Sequence, residues 1–500
     1  METINNLILG FGWAFTTTNL LYCFAGVFVG TIIGVLPGIG SIAAVSLLLP
    51  LSFYLEPATA LMLLAGVYYG AEYGGSTASI LLNLPGTPSS AVTCLDGYPL
   101  AKQGRAGVAL FVTTIASFFG SVVGIMALIL LSPLMTSLAL RFGSAEYFAV
   151  MLLGLIAAAT ISKGSQIKSL AMVVLGLLLG CIGTDSNSGV MRYTVGLPFL
   201  FDGVNLIALA MGLFGVSEII NSIGMVKATA QLGKVTLRSM IPTWDDTRRS
   251  VAPAIRGATI GSIIGPLPGT GPTIASFLTY AFEKRLSRRP KMFGNGAIEG
   301  VAGPESANSA AVITAFIPTL TLGVPGSATM AFMLGALLIH GITPGPSLVA
   351  QHPDLFWGLI ASFWIGNILL VFLHIPLIGI WVRLLQMPYD YLFPSIICLI
   401  CIGVYSVNNS TFDVWLVLLF GAAGYAMSLM EFEPAPLIVG FILGPLMEEN
   451  LRRALVLTGG DFMGLLYRPV SGSILILTMI LLLWAAYKYW AQQRLRRQYG

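Results

Sequence analysis

Apolar runs of about 20 residues recur from one end of this chain to the other, and that is the length a helix needs to cross the hydrocarbon core of a bilayer. No other feature limits the fold so strongly. Charged residues make up only 9% of the 500, against about 25% in soluble domains, and mean hydropathy is +0.87. The chain is therefore expected to be an all-α polytopic membrane protein embedded in a lipid bilayer. A transmembrane barrel would show alternating segments of about 10 residues, and none is present. The opening "METINNLILGFGW" has no basic segment and no small-residue cleavage site, so no removable signal peptide is expected.

The net charge of +4 reports orientation rather than an affinity for nucleic acid, because the basic residues stand in loops. Lys102 and Arg105, Lys163 and Lys168, the polar stretch 223–256, the cluster from Lys284 to Lys291, Arg383 and the tail from Lys488 hold 20 of the 25 Lys and Arg. Placing them in the cytoplasm leaves Arg141, Arg192, Arg452, Arg453 and Arg468 outside. Helices that alternate accordingly are predicted at about 107–131, 145–162, 167–184, 203–222, 355–382, 388–405, 411–430 and 470–490. This divides the chain into a membrane repeat 1–222, a cytoplasmic linker 223–252, a second repeat 253–490 and a cytoplasmic basic tail 491–500.

One apolar run is broken where lipid tolerates a break least. "GSIIGPLPGTGPTIASF", 261–277, lies between Arg256 and Glu283, which enclose 26 uncharged residues. Two spans need about 40 residues, and one span would put the flanking basic clusters on opposite faces. A re-entrant hairpin of two half-helices, with "PLPGTGP" at its tip, meets both constraints. Non-helical backbone at that depth is tolerated only where it is buried in protein or lines a polar cavity. An earlier copy, "GTIIGVLPGIGSIAAVS" at 30–46, matches it at nine of fifteen aligned positions. No Lys or Arg lies between Met1 and Leu100, so this copy is expected to open outward and form an inverted repeat with the other. Two ordinary spans before Glu56 remain the alternative.

A second shared pattern follows each copy, "YGAEYGGSTASILLNLPGTPSSA" at 69–91 and "GPESANSAAVITAFIPTLTLGVPGSATMA" at 303–331. Each starts with a Glu among small polar residues and ends in a Pro-Gly that breaks its helix. The four breaks are expected to converge near the midplane. Half-helix N-termini would there face a carboxylate, while freed carbonyls and hydroxyls coordinate Na⁺. The candidate substrate- and ion-binding residues are Pro37, Gly38 and Gly40 in the first copy and Pro268, Gly269, Thr270 and Gly271 in the second. The later patterns add Gly75, Ser76, Asn83, Pro85, Gly86 and Thr87, then Glu305, Ser306, Asn308, Pro325, Gly326 and Ser327. Glu72 and Glu305 are ionisable groups at membrane depth, which makes each a functional candidate; a structural cap at a helix end is the alternative.

Several features take plainer readings. The isolated GxxxG of Gly26 and Gly30 is read as helix packing. Cys398 and Cys401 form a CxxC inside an apolar stretch and are read as packing residues. His340 and His374 are lone imidazoles that satisfy helix ends. "GTGPT" lacks the Lys-Ser/Thr of a phosphate loop, and no HExxH or GxSxG appears. Neither an enzyme's catalytic set nor an ATPase is encoded, so no cofactor is expected.

Together "GTIIGVLPGIG", "YGGSTASILLNLPGTP", "GSIIGPLPGTGP", "GVAGPESANSA" and "LTLGVPGSATMAFMLGAL" resemble the large membrane subunit of the tripartite tricarboxylate transporters, the TctA family. The resemblance covers nearly the whole chain; Ser309 stands where the family often has Asn. It implies a permease of the bacterial inner membrane that imports citrate-like carboxylates on a Na⁺ or H⁺ gradient, with Na⁺ the expected coupling ion. It also implies two partners, a TctC-like periplasmic solute-binding protein and a TctB-like small membrane subunit. An elevator-type fold with two hairpins is the implied architecture. A permease of an ATP-driven importer and a membrane-embedded enzyme are the alternatives.

Overall fold

A computed structural model of the chain describes residues 2–161, 165–185, 187–222, 235–267, 271–385 and 389–499. Eight helices precede a small two-stranded ribbon: α1 (Glu2–Ala14), α2 (Thr17–Val35), α3 (Gly40–Ser52), α4 (Pro57–Leu82), α5 (Ala91–Leu100), α6 (Ala106–Ala139), α7 (Ser144–Ile161) and α8 (Gln166–Gly180). The strands β1 (Gly183–Thr184) and β2 (Met191–Arg192) pair antiparallel. Next come α9 (Leu206–Ala210) and α10 (Ser217–Ser222), joined by a π-helical turn, then α11 (Trp244–Ile264), α12 (Gly271–Leu286), α13 (Glu299–Thr314), α14 (Phe316–Leu322) and α15 (Ala328–Ile339). The remainder is α16 (Pro346–Gln351), α17 (Pro353–His374), α18 (Ile378–Leu384), α19 (Tyr389–Asn408), α20 (Thr411–Leu429), α21 (Ala435–Leu457), α22 (Met463–Tyr467) and α23 (Pro469–Tyr499). The protein is an all-α membrane protein. Among the described residues, α2, α5–α6, α17 and α20 contain segments long and apolar enough to cross a bilayer.

The centre belongs to α4 and α13. Every residue of α4 from Ala58 to Leu81 is buried, as is every residue of α13 from Gly300 to Thr314. A helix covered on all sides can carry small polar residues only if each finds a partner inside the protein. The outer helices reverse the pattern: Leu130, Phe372, Leu419 and Leu483 stand exposed, as befits side chains that hydrocarbon would cover.

Glycine lets the central helices be gripped closely. Side chains at Gly26, Gly30 and Gly34 would collide with the carbonyls of Leu63, Val67 and Ala71, so α2 lies backbone to backbone on α4. Gly257, Gly261 and Gly265 press α11 against Gly303, Ala307 and Ala311 of α13 in the same way. Gly26 and Gly30 are thus packing residues, as their spacing suggests. The two copies of the Pro-Gly pattern meet their neighbours alike. The helices after them exchange places: α6 packs along α11 and α13, and α17 along α1, α2 and α4.

The second copy folds back on itself. Its arms α11 and α12 pack together, and Arg256 holds Glu283 through two hydrogen bonds of 2.7 and 2.6 Å. Both ends of the uncharged segment therefore lie on one side. The arms are longer than a membrane-limited hairpin requires because they continue past these charges. α11 starts at a capping box between Thr243 and Asp246, where Asp246 also meets Arg105 at 2.6 Å. Arg249 reaches Glu299 at 2.7 Å. At the opposite end of the protein Arg192 and Arg452 share Asp185 and Glu448, and Arg468 meets Glu146. These ion pairs join only groups that the charge pattern assigns to one side. Cysteines placed at Ser250 and Ser287 in a cysteine-free background should both react with an impermeant maleimide only from the cytoplasm. Labelling from opposite faces would mean that 257–282 crosses the membrane.

Candidate functional site

A cavity of about 590 Å³ opens where the breaks meet. Its wall includes Gly38 and Gly40, then Pro85, Gly86 and Thr87, Gly271, and Pro325 with Ser327. Residues 268–270, and with them Pro268, Gly269 and Thr270, lie outside the described part of the chain. Pro37 and Gly326 stand next to lining residues without lining the cavity themselves.

The first turns of α3, α12 and α15 all face the cavity, through Gly40 and Ser41, Gly271 and Pro272, and Ala328 and Thr329. The start of α21 joins them through Ala435 and Pro436. Each helix N-terminus presents N–H groups and roughly half a positive charge, in a wall that Glu72, Glu218 and Glu433 also line and that no basic side chain lines among the described residues. Gly40 and Gly271, equivalent in the two copies, both have left-handed φ, +71° and +55°. At this φ an L side chain is strained, which is why the pattern needs glycine where each second arm begins.

The Pro-Gly breaks are built alike. α4 ends in Asn83 at φ 59°, and α14 ends in Gly323 at φ 70°. Both are left-handed C-caps placed two residues before a proline. Asn83 is thereby a cap and does not line the cavity. Gly75 packs against Thr87, and a side chain at Gly86 would run into Gly34 and Gly75. Glycine at 75 and 86 thus lets three backbone segments close the wall beside α2.

Two buried carboxylates stand at this wall, one in it and one behind it. Glu72 accepts hydrogen bonds from Ser89 at 2.5 Å and Thr87 at 3.4 Å, with Ser41 and Asn308 facing the same group. Glu305 accepts from Thr93, from Ser76 at 2.7 Å and from Ser117 at 3.4 Å. Each thus draws on the other half of the sequence, Glu72 on Asn308 and Glu305 on Ser76. Glu72 lines the cavity; Glu305, Ser76 and Asn308 lie behind it. Ser306 points elsewhere and donates to the Ala254 carbonyl at 2.7 Å, which locks α13 to α11.

Ser41, Tyr68, Ser89, Glu218 and Glu433 also line the cavity and are absent from the residues chosen by sequence. Glu218 had a readable signal, as an ionisable group within the apolar run 203–222. Ser41 and Ser89 each follow a Pro-Gly break closely, but a serine in such a run says nothing of where it points. His374 is buried at the end of α17 with Nδ1 3.0 Å from the Leu370 carbonyl, but its Nε2 has no hydrogen-bond partner among the described residues, so the ring is only half satisfied. Outside the spanning helices, hydrogen bonds from Ser188 and the Asn187 amide, aided by Arg452, hold Asp185 down at about 2. Stability from that loop is present above the ordinary carboxylate range and lost only as pH falls towards 2.

A family model described as the tripartite tricarboxylate transporter TctA family matches residues 20–439. An uncharacterized 52.8 kDa protein in the TAR-I ttuC' 3'region of Agrobacterium vitis is 49% identical over 475 residues, covering 95% of this chain and 94% of its own length. An uncharacterized protein in the TAR-II ttuC' 3'region of the same organism is 53% identical over 220 residues, 44% of this chain and 91% of its own length. No solved structure matches.

Proposed function

The chain belongs to the tripartite tricarboxylate transporter TctA family, and from that premise we propose that it is the large permease subunit of a secondary transporter for citrate-like carboxylates. One observation carries the reading: helix N-termini from both halves of the sequence converge on a single cavity that no Lys, Arg or His lines among the described residues. Such a wall accepts a carboxylate through N–H groups and leaves the rest of its charge to a co-bound cation. The two copies, with Gly40 and Gly271 in equivalent conformations, are read as inverted repeats. Their hairpins move the cavity between the two faces in an elevator-like cycle. The charge pattern orients the molecule in the bacterial inner membrane with its C-terminus in the cytoplasm. A Na⁺ or H⁺ gradient drives import, Na⁺ being favoured by the oxygen groups beside the cavity.

A periplasmic solute-binding protein delivers the cargo, and a small membrane subunit packs on a lipid-facing surface. Among the described residues no soluble domain is present that could capture the cargo. Proteoliposomes holding both membrane subunits should take up labelled citrate or a related carboxylate when the binding protein and an inward Na⁺ gradient are supplied, with no ATP present. A requirement for ATP would point to an ATP-driven importer. High-affinity uptake by the 500-residue chain alone would remove the partner dependence.

A further inference from the structure

We propose that Glu72, Asn308 and the hydroxyls of Ser41, Thr87 and Ser89 form a binding site for one Na⁺ in the wall of the cavity. The site is a ring of hard oxygen ligands. Thr87 and Ser89 stand 2.9 Å apart and both bond to Glu72, while Ser41 and Asn308 face the same carboxylate. Asn308 supplies an independent observation. It is 2% exposed, and its Oδ1 accepts no hydrogen bond, although its amide is turned towards Glu72. A buried carbonyl oxygen without a donor costs about 1–3 kcal/mol, and a cation at that place would remove the cost.

Charge points the same way. Glu72 and Glu305 are both buried, and neither enters any ion pair among the described residues. An ionised carboxylate in the interior needs a compensating charge. Of these two, Glu72 lines the cavity and Glu305 does not, which leaves one of the pair for direct ligation at the wall. A single carboxylate among neutral oxygens balances a monovalent ion. Ca²⁺ typically recruits more carboxylate oxygens, and Mg²⁺ retains several waters in a near-ideal octahedron. The ligands come from α3, α4, the break after α4 and α13, so an ion here ties together four segments from the two halves. Since Glu72, Thr87 and Ser89 also line the cavity, the ion would lie against the cargo and offset part of its charge. That coupling role rests on the transporter reading; the site itself does not.

The test uses the purified full chain in nanodiscs, without carboxylate or partner proteins. Replacing choline chloride with NaCl at constant ionic strength should raise the melting temperature saturably, and ²²Na⁺ should bind with matching affinity. Glu72→Gln should abolish both effects. Asn308→Ala and Ser89→Ala, milder changes that keep the test open if Glu72→Gln does not accumulate, should weaken binding about tenfold or more. Glu56→Gln, beyond the far end of α4, should change nothing. No Na⁺-specific response in the wild type, an equal response to Mg²⁺, or unchanged binding by Ser89→Ala and Asn308→Ala would overturn the site. Na⁺ binding without gradient-driven uptake would leave the site standing and refute the transporter reading, whereas uptake without Na⁺ binding would do the reverse.

Discussion

Gly271→Leu is expected to abolish carboxylate uptake in proteoliposomes while the protein accumulates and inserts at its normal level. Two costs can be separated at this position. The first is conformational: φ is +55°, and a non-glycine residue there costs about 1–2 kcal/mol, which a protein of this size absorbs. The second is occlusion. Among the described residues an added Cβ would find only Ser327 Cβ at 3.7 Å, an ordinary contact, so a side chain there extends into the cavity that Gly271 lines. Leucine would cover the N–H groups at the start of α12, whereas Gly271→Ala should keep measurable uptake. Gly261→Leu supplies the contrast, because its Cβ would meet the backbone of Ala307 and the protein should fail to assemble. Normal uptake by Gly271→Leu would reduce the Pro-Gly pattern to a packing feature.

The other large effect is expected at Asp96, far from any gradient or cargo. Asp96 is fully buried, and its Oδ1 accepts three backbone N–H groups, from Gly294 and Gly296 at 2.9 Å and from Ala297 at 2.8 Å. These amides precede α13, so one carboxylate on α5 fixes the entry of the central helix of the other half. Asp96→Ala would leave the buried amides of Gly296 and Ala297 without an acceptor, each worth about 1–3 kcal/mol, while the exposed Gly294 amide can turn to solvent. The loss expected is about 2 kcal/mol or more, read as a fall in thermal stability of the purified protein. Asp96→Asn retains an acceptor and should lose much less. Equal stability of the alanine variant and the wild type would exclude this latch.

Sequence reading located the helices well because burial in lipid and burial in protein both demand apolar runs. The span predicted at 411–430 is α20, Thr411–Leu429, and that at 145–162 is α7, Ser144–Ile161. It also singled out Glu72 and Glu305, since an ionisable group in such a run stands out. What it misses depends on long-range geometry. Nothing local distinguishes Asp96, whose partners lie about 200 residues away, from an acid at a helix end. Asn83, chosen as a candidate binding residue, serves instead through its tolerance of left-handed backbone. Ser306 and Asn308 sit two residues apart on α13, and one turns to α11 while the other turns to Glu72. Only the packing of the helices decides which is which.

The exchange of α6 and α17 between the two halves has a consequence for biosynthesis. α6 rests Gly120 against the backbone of Ser306, a residue that leaves the ribosome roughly 190 residues later, which is about 10–40 s at the usual speed of translation. During that interval the face of α6 that α13 will occupy can be covered only by lipid, an insertase or a chaperone. Glycine makes this wait harmless in one respect: it exposes little polar surface while its helix hydrogen bonds remain intact. The first half is thus threaded into the membrane in an open form and closes only when α13 arrives, so a ribosome that stalls between the halves should yield an inserted but loosely packed, protease-sensitive fragment.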